Sequence, residues 1–187
     1  MDFHFELDIP KSKNVLKYQI LDLLTKQRFK QKSDLDDQIL FKRGSNFRNY
    51  FAFNPEKWKT IVRIEFLTQS DYKTKIITNI KVSTKGQLVT RKEEQYWIKF
   101  AENFRNSIIS GVDFSETNKI LSKRAFKKNL EYVKWLFLAT LIFLPLGILV
   151  ALFFNASKIA SSIAITGIIG TLFYKINKDK KQKNIDK

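Results

Sequence analysis

Few residues in this chain have the type and spacing for chemistry. The single histidine, His4, stands two residues from Glu6 and four from Asp8. On an extended strand that spacing puts all three on one face, where they could hold a metal or pass a proton. Phe3, Phe5, Leu7 and Ile9 alternate with them, so the trio reads more simply as the wet face of a half-buried strand. Asp34, Asp36 and Asp37 cluster as in a calcium loop, but Ile39 and Ser45 stand where an EF-hand needs Gly and Glu. There is no cysteine, so disulfides, Cys-zinc sites and thiol nucleophiles are excluded. Six glycines form no phosphate-cradling motif, and no G-x-S-x-G occurs. No catalytic residue, metal site or cofactor is expected, and the chain reads as a non-enzyme.

The densest unusual stretch is 41–59. Phe41, Phe47, Tyr50, Phe51, Phe53 and Trp58 are interleaved there with Lys42, Arg43, Arg48, Lys57 and Lys59, and Glu56 is the lone acid. Three readings stand. The aromatics fill the core and the cations are merely exposed; or both rest on anionic lipid headgroups; or they hold a specific ligand such as a nucleotide or nucleic acid. The candidate contacts are Lys42, Arg43, Arg48, Lys57, Trp58 and Lys59.

The elements that would carry these residues follow from periodicity. After the first strand and Pro10, Ser12 is placed to cap a helix running to about Arg28, with Leu16, Ile20, Leu23 and Leu24 on one face. Residues 29–38 are polar and read as a loop. Strands are expected at 39–43, 49–53, 59–67 and 75–83. Thr90 and Glu93 fit a capping box before a helix striped with Trp97, Phe100, Phe104 and Ile108 and ended by Gly111. The expected class is α+β: an antiparallel sheet in the order β-α-β-β-β(-β)-α, with helices on one face, spanning residues 1–114.

The remainder is of another kind. Residues 115–134 read as a basic helical connector. From 135 to 157 there are 23 residues without a charge, roughly 35 Å of helix, against a hydrocarbon core of about 30 Å. Fourteen Leu, Ile, Phe or Val within 135–154 give a transfer term of roughly −6 kcal/mol. The second run, 159–174, carries seven such residues and is marginal alone. A transmembrane hairpin (135–154 and 159–174) is expected, followed by a basic tail, 175–187. Six cations precede the first run within residues 119–134, six follow the second, and only Lys158 lies between. The positive-inside bias therefore places both termini in the cytoplasm, with two passes through the plasma (inner) membrane. Trp135 and Tyr174 would anchor the cytoplasmic interface. Ala160, Ala164, Gly167 and Thr171 form a small-residue stripe that packs either on the first helix or between chains as a homo-oligomer.

The net charge is +16, from 34 basic and 18 acidic residues. Residues 115–187 contribute +9 of it (13 basic, 4 acidic), beside the apolar runs. That is a membrane pattern rather than a nucleic-acid one. In plan the chain resembles small bacterial membrane proteins of unknown function that join a cytosolic β-rich module to a C-terminal helical hairpin. Its Lys, Ile, Asn and Phe content suits an AT-rich genome. The functional expectation is a non-enzymatic, membrane-anchored protein whose cytoplasmic module binds an unidentified protein partner or ligand, with anionic lipid contact. The alternative is a small membrane effector whose hairpins oligomerise and perturb the bilayer.

Overall fold

The computed structural model describes the backbone of residues 1–50, 52–87, 89–154 and 157–185, and the side chains in those segments other than 48, 154, 157, 159, 160 and 179–185. It divides into two compact units, Met1–Phe126 and Lys127–Lys187.

The first unit is mixed α+β. Its strands are β1 (Asp2–Ile9), β2 (Lys30–Leu35), β3 (Gln38–Arg43), β4 (Thr60–Ser70) and β5 (Lys73–Val82). All neighbours are antiparallel and the sheet order is β1-β5-β4-β3-β2, so the first strand closes against the last. Alternation decides which face is dry. Ile39 and Phe41 on β3, Val62, Ile64 and Phe66 on β4, and Ile76, Ile80 and Val82 on β5 are buried. Against them lie α1 (Lys13–Lys26), through Leu16, Ile20, Leu23 and Leu24, and α3 (Arg91–Ser110), through Trp97, Phe100, Phe104 and Ile108. The Thr90–Glu93 capping box forms as expected: the Glu93 amide donates to Thr90 Oγ1, and the Thr90 amide to Glu93 Oε2 at 2.8 Å. Ser12 stands at the first cap of α1 but makes no side-chain cap bond.

Two expectations are corrected. Residues 29–38 are not a loop, because Lys30–Leu35 form the edge strand β2 paired with β3. An edge strand wet on both sides has no apolar alternation to reveal it, and its lysines discourage further pairing. None of the described residues of 49–53 is in a strand. One helical turn, α2 (Asn46–Asn49), precedes a 3-10 turn at Pro55–Lys57. Asn49 holds this loop down: its Nδ2 donates to Ser83 O at 2.7 Å and its Oδ1 accepts from the Lys59 amide at 2.7 Å.

Helix α4 (Ser115–Phe154) begins in the first unit. Its opening turns are locked on by polar groups. Asn103 Nδ2 donates to Asn118 Oδ1 (2.7 Å), Asn118 Nδ2 to Gln27 Oε1 (2.9 Å) and Ser122 Oγ to Glu56 Oε2 (3.2 Å). The α+β unit thus reaches Phe126, beyond residue 114.

In the second unit α4 is followed by α5 (Ser157–Ile185). Among the described residues α4 is the one helix long and apolar enough to cross a membrane, and only 11% of its apolar window is buried. Leu136, Leu141, Ile142, Leu144, Leu152 and Phe153 all face outward. Ala139 and Ala164 are buried, Phe143 lies directly over Gly167 where a Cβ would collide with its ring, and Lys175 Nζ sits 5.7 Å from the centre of the Trp135 ring.

Candidate functional site

The first unit carries a groove of about 910 Å³, within the size range of small-molecule sites. Each wall has a local cause. Helix α1 ends in a paired-turn cap: the Phe29 amide donates to Leu24 O and the Arg28 amide to Thr25 O, both 2.9 Å. This cap needs a left-handed residue, and Arg28 occupies it at φ 62° where glycine is usual. The cost of about 1–2 kcal/mol sets the Arg28 side chain on the groove wall. Lys30 and Lys32 come from β2, Lys42 and Arg43 from β3. Gly44 turns the chain at φ 71°; a Cβ there would lie 2.6 Å from the carbonyl oxygens of Lys57 and Trp58. The far rim is pinned by Trp58 Nε1 donating to Ala52 O (2.8 Å) and by Asn54 Oδ1 accepting from the Glu56 amide (2.9 Å). Phe47, Phe53 and Phe126 add apolar surface, and Phe47 is 75% exposed.

The electrostatics are one-sided. Arg28, Lys30, Lys32, Lys42, Arg43 and Lys57 face a single acid, Glu56. Some cations elsewhere in the unit are matched, namely Lys13 with Asp37 (2.7 Å), Lys17 with Asp34 (2.9 Å), Lys26 with Asp22 (2.7 Å) and Lys75 with Glu6 (2.7 Å), whereas others, such as Arg63, Lys81 and Arg105, stand singly on the surface in no ion pair among the described residues. These contacts hold the Asp37, Asp34 and Glu6 carboxyls below their ordinary values, the lysine hydrogen bond contributing most in each case. None of the six groove cations has an ion-pair partner among the described residues. A field of unmatched cations over a concave surface concentrates anions.

A smaller cavity of about 250 Å³ shares Arg28, Arg43, Asn54 and Glu56 with the groove, and Tyr96, Asn118 and Lys123 also line it. Burial pushes the Tyr96 phenol up, and the Arg43 guanidinium beside it opposes that shift.

The sequence-derived contacts separate into classes. Lys42 and Lys57 line the groove. Lys59 does not line it; its amide is tied to Asn49. Trp58 is a correction: it is 0% exposed and packs 6.5 Å from Trp97 in the core, so it touches no ligand. Arg43 is also buried, stacked 4.3 Å from the Phe29 ring centre, and lines the groove from its inner wall. The Arg48 side chain lies outside the described residues, as does that of Ala160. Arg28, Lys30, Lys32 and Phe126 escaped the sequence reading; the alternation of Lys30 and Lys32 was the available signal. Trp135 and Tyr174 are both exposed on the second unit. Of the His4 trio, Nε2 lies 3.6 Å from Glu6, Nδ1 is 2.8 Å from Asn79 Oδ1, and Asp8 accepts from Gln69. Each member is thus engaged in surface contacts.

No family model matches the chain, and no curated protein matches it. Two solved structures are similar in part. One is a conserved protein of unknown function from Enterococcus faecalis, with TM-score 0.34 and 11% identity over 70% of this chain and 85% of that one. The other is a protein from Thermus thermophilus, with TM-score 0.23 and 9% identity over 68% of this chain and 99% of that one. Neither likeness bears on function.

Proposed function

We propose that this chain is a non-enzymatic, membrane-anchored protein whose cytoplasmic α+β unit binds an anionic partner or ligand at the inner membrane face. The observation that carries the binding half is the groove with six cations, one acid and no ion pair to neutralise it among the described residues. Anchoring is supported by the outward apolar side chains of α4. A two-pass hairpin is supported by paired contacts. Moving from Trp135 to Phe143 on α4 matches moving back from Lys175 to Gly167 on α5, the pattern of antiparallel neighbours. Trp135 then meets Lys175 where Tyr174 also lies, as a shared cytoplasmic interface would require.

The effector alternative needs the small-residue stripe free to pair between chains. Gly167 already lies under Phe143 of its own chain, and Ala164 is buried, which favours packing within the chain.

The test has two parts. Reporters placed after Lys187 and in the 155–158 link should read cytoplasm and outside respectively; an external tail would overturn the topology. The full chain in phosphatidylcholine nanodiscs should adhere to phosphatidylglycerol vesicles at low salt and release them at high salt. Changing Lys30, Lys42 and Lys57 together to Gln removes about 1 kcal/mol each, an affinity loss on the order of 100-fold. Adhesion indifferent to that triple change would refute the groove reading.

A further inference from the structure

The groove's inner wall holds a group that surface attraction does not explain. Arg43 is 7% exposed, yet neither its Nε nor its Nη2 has a hydrogen-bond partner among the described residues. Nη1 donates to Gln27 O at 3.0 Å, and the Tyr96 hydroxyl lies beside the guanidinium. The guanidinium is stacked among Phe29, Trp97 and Phe100, at 4.3, 5.6 and 5.5 Å from their ring centres. Stacking satisfies the face of the cation and leaves its edge, where the N–H groups lie. Glu56, the single acid lining the groove, forms no ion pair with it and instead accepts from Ser122. A buried charge with idle donors is costly unless something completes it. Nε and Nη2 together form the side of the guanidinium that grips two oxygens of a phosphate at once.

Arg28 is the second observation. It shares both cavities with Arg43 and holds a left-handed backbone that glycine would hold without strain. The strained position carries the Arg28 side chain onto the wall of both cavities.

Building on the anionic-groove reading above, we propose that Arg43 and Arg28 form a specific site for a phosphate group at the junction of the two cavities. Arg43 grips the phosphate bidentately through Nε and Nη2, and Arg28 adds the second cation. The phosphate belongs either to a soluble phosphate ester or to a lipid headgroup, since both present the same oxygens. Lys42, Lys57 and Phe53 then receive the remainder of the molecule.

The experiment titrates the full chain, in nanodiscs of phosphatidylcholine, with pyrophosphate by calorimetry. Saturable binding is expected. Arg43→Lys keeps the charge and loses the fork, so affinity should fall at least about 10-fold. Arg28→Gly relieves the strained cap, so the melting temperature should hold or rise while affinity falls by roughly 3- to 10-fold. That variant keeps the test decisive if Arg43→Lys fails to fold. Repeating the titration in nanodiscs containing phosphatidic acid, or phosphatidylglycerol at equal charge, separates the sources. Competition by phosphatidic acid alone points to a lipid phosphomonoester, and no competition points to a soluble one. Pyrophosphate affinity unchanged in both variants would overturn the site, as would absence of saturable binding together with no effect of either variant on adhesion to phosphatidic acid vesicles. Salt-sensitive adhesion to phosphatidylglycerol vesicles would survive that failure, so the two readings fall separately.

Discussion

Helices α3 and α4 are both long and both rich in aromatic and aliphatic residues, yet they treat those residues in opposite ways. In α3, Trp97, Phe100, Phe104 and Ile108 line one stripe and are buried against the sheet, while the other face is polar. In the second half of α4, Leu136, Leu141, Leu144 and Phe153 point outward in several directions, and the residues buried there are the small Ala139 and Gly147. A one-sided stripe needs a protein partner to shelter it from water. An all-round apolar surface is stable only where the surroundings are themselves apolar. The contrast teaches that hydrophobic content says little until its angular distribution is known.

The largest effect that could break this contrast lies in α4. Leu141→Arg with Leu144→Arg adds about 5–7 kcal/mol to the transfer of that segment into a bilayer, enough to cancel its favourable term of roughly −6 kcal/mol. The double variant should leave the membrane pellet on ultracentrifugation; retention in the pellet would place α4 in a protein environment instead. Next, Phe100→Ala should cost the α+β unit about 3–5 kcal/mol through cavity formation. Leu141→Ala should move the same urea transition by less than about 1 kcal/mol. Equal losses would mean that the two helices are packed alike.

A smaller effect sharpens the account of the groove. Gly44→Ala places a methyl against the Lys57 and Trp58 carbonyls at a left-handed position. It should cost at least about 2 kcal/mol and loosen the 44–57 rim, visible as faster amide exchange at Trp58. Smallest is a pH effect. Burial raises the Tyr96 phenol above its ordinary 10.0. Above that value the unfolded chain releases this proton while the folded one keeps it, so the folded state binds more protons and stability falls as pH rises. In urea titrations about one unit below and above 10, Tyr96→Phe should show a shallower loss than the parent chain. Identical slopes would show that Tyr96 is not shielded from water.

The fold was legible wherever local periodicity and burial agree. The β1 alternation, the Leu16–Leu24 face of α1 and the Thr90–Glu93 cap were all visible because each depends on residues within a few positions of one another. The β2 strand was hidden because Lys30–Leu35 derives its strand state from pairing with β3 and not from an apolar face of its own. The site was half legible. Composition pointed to the 41–59 stretch, and Lys42 and Lys57 are on the groove. Trp58 and Arg43 were candidate contacts that turn out to be buried, since nothing in a basic-aromatic alternation marks which members turn inward.

The chain alone determined that one stretch of α4 is apolar on every side and that a separate segment folds with wet and dry strand faces, because spacing along the chain sets which side chains share a surface. Tertiary structure decided the rest. It brought Arg28 from a helix end, Lys30 and Lys32 from an edge strand, Arg43 from a buried register position and Phe126 from α4 around one concavity. Long-range strand pairing and the competition among aromatics for the core set that gathering, and neither has a signature within a local window of sequence.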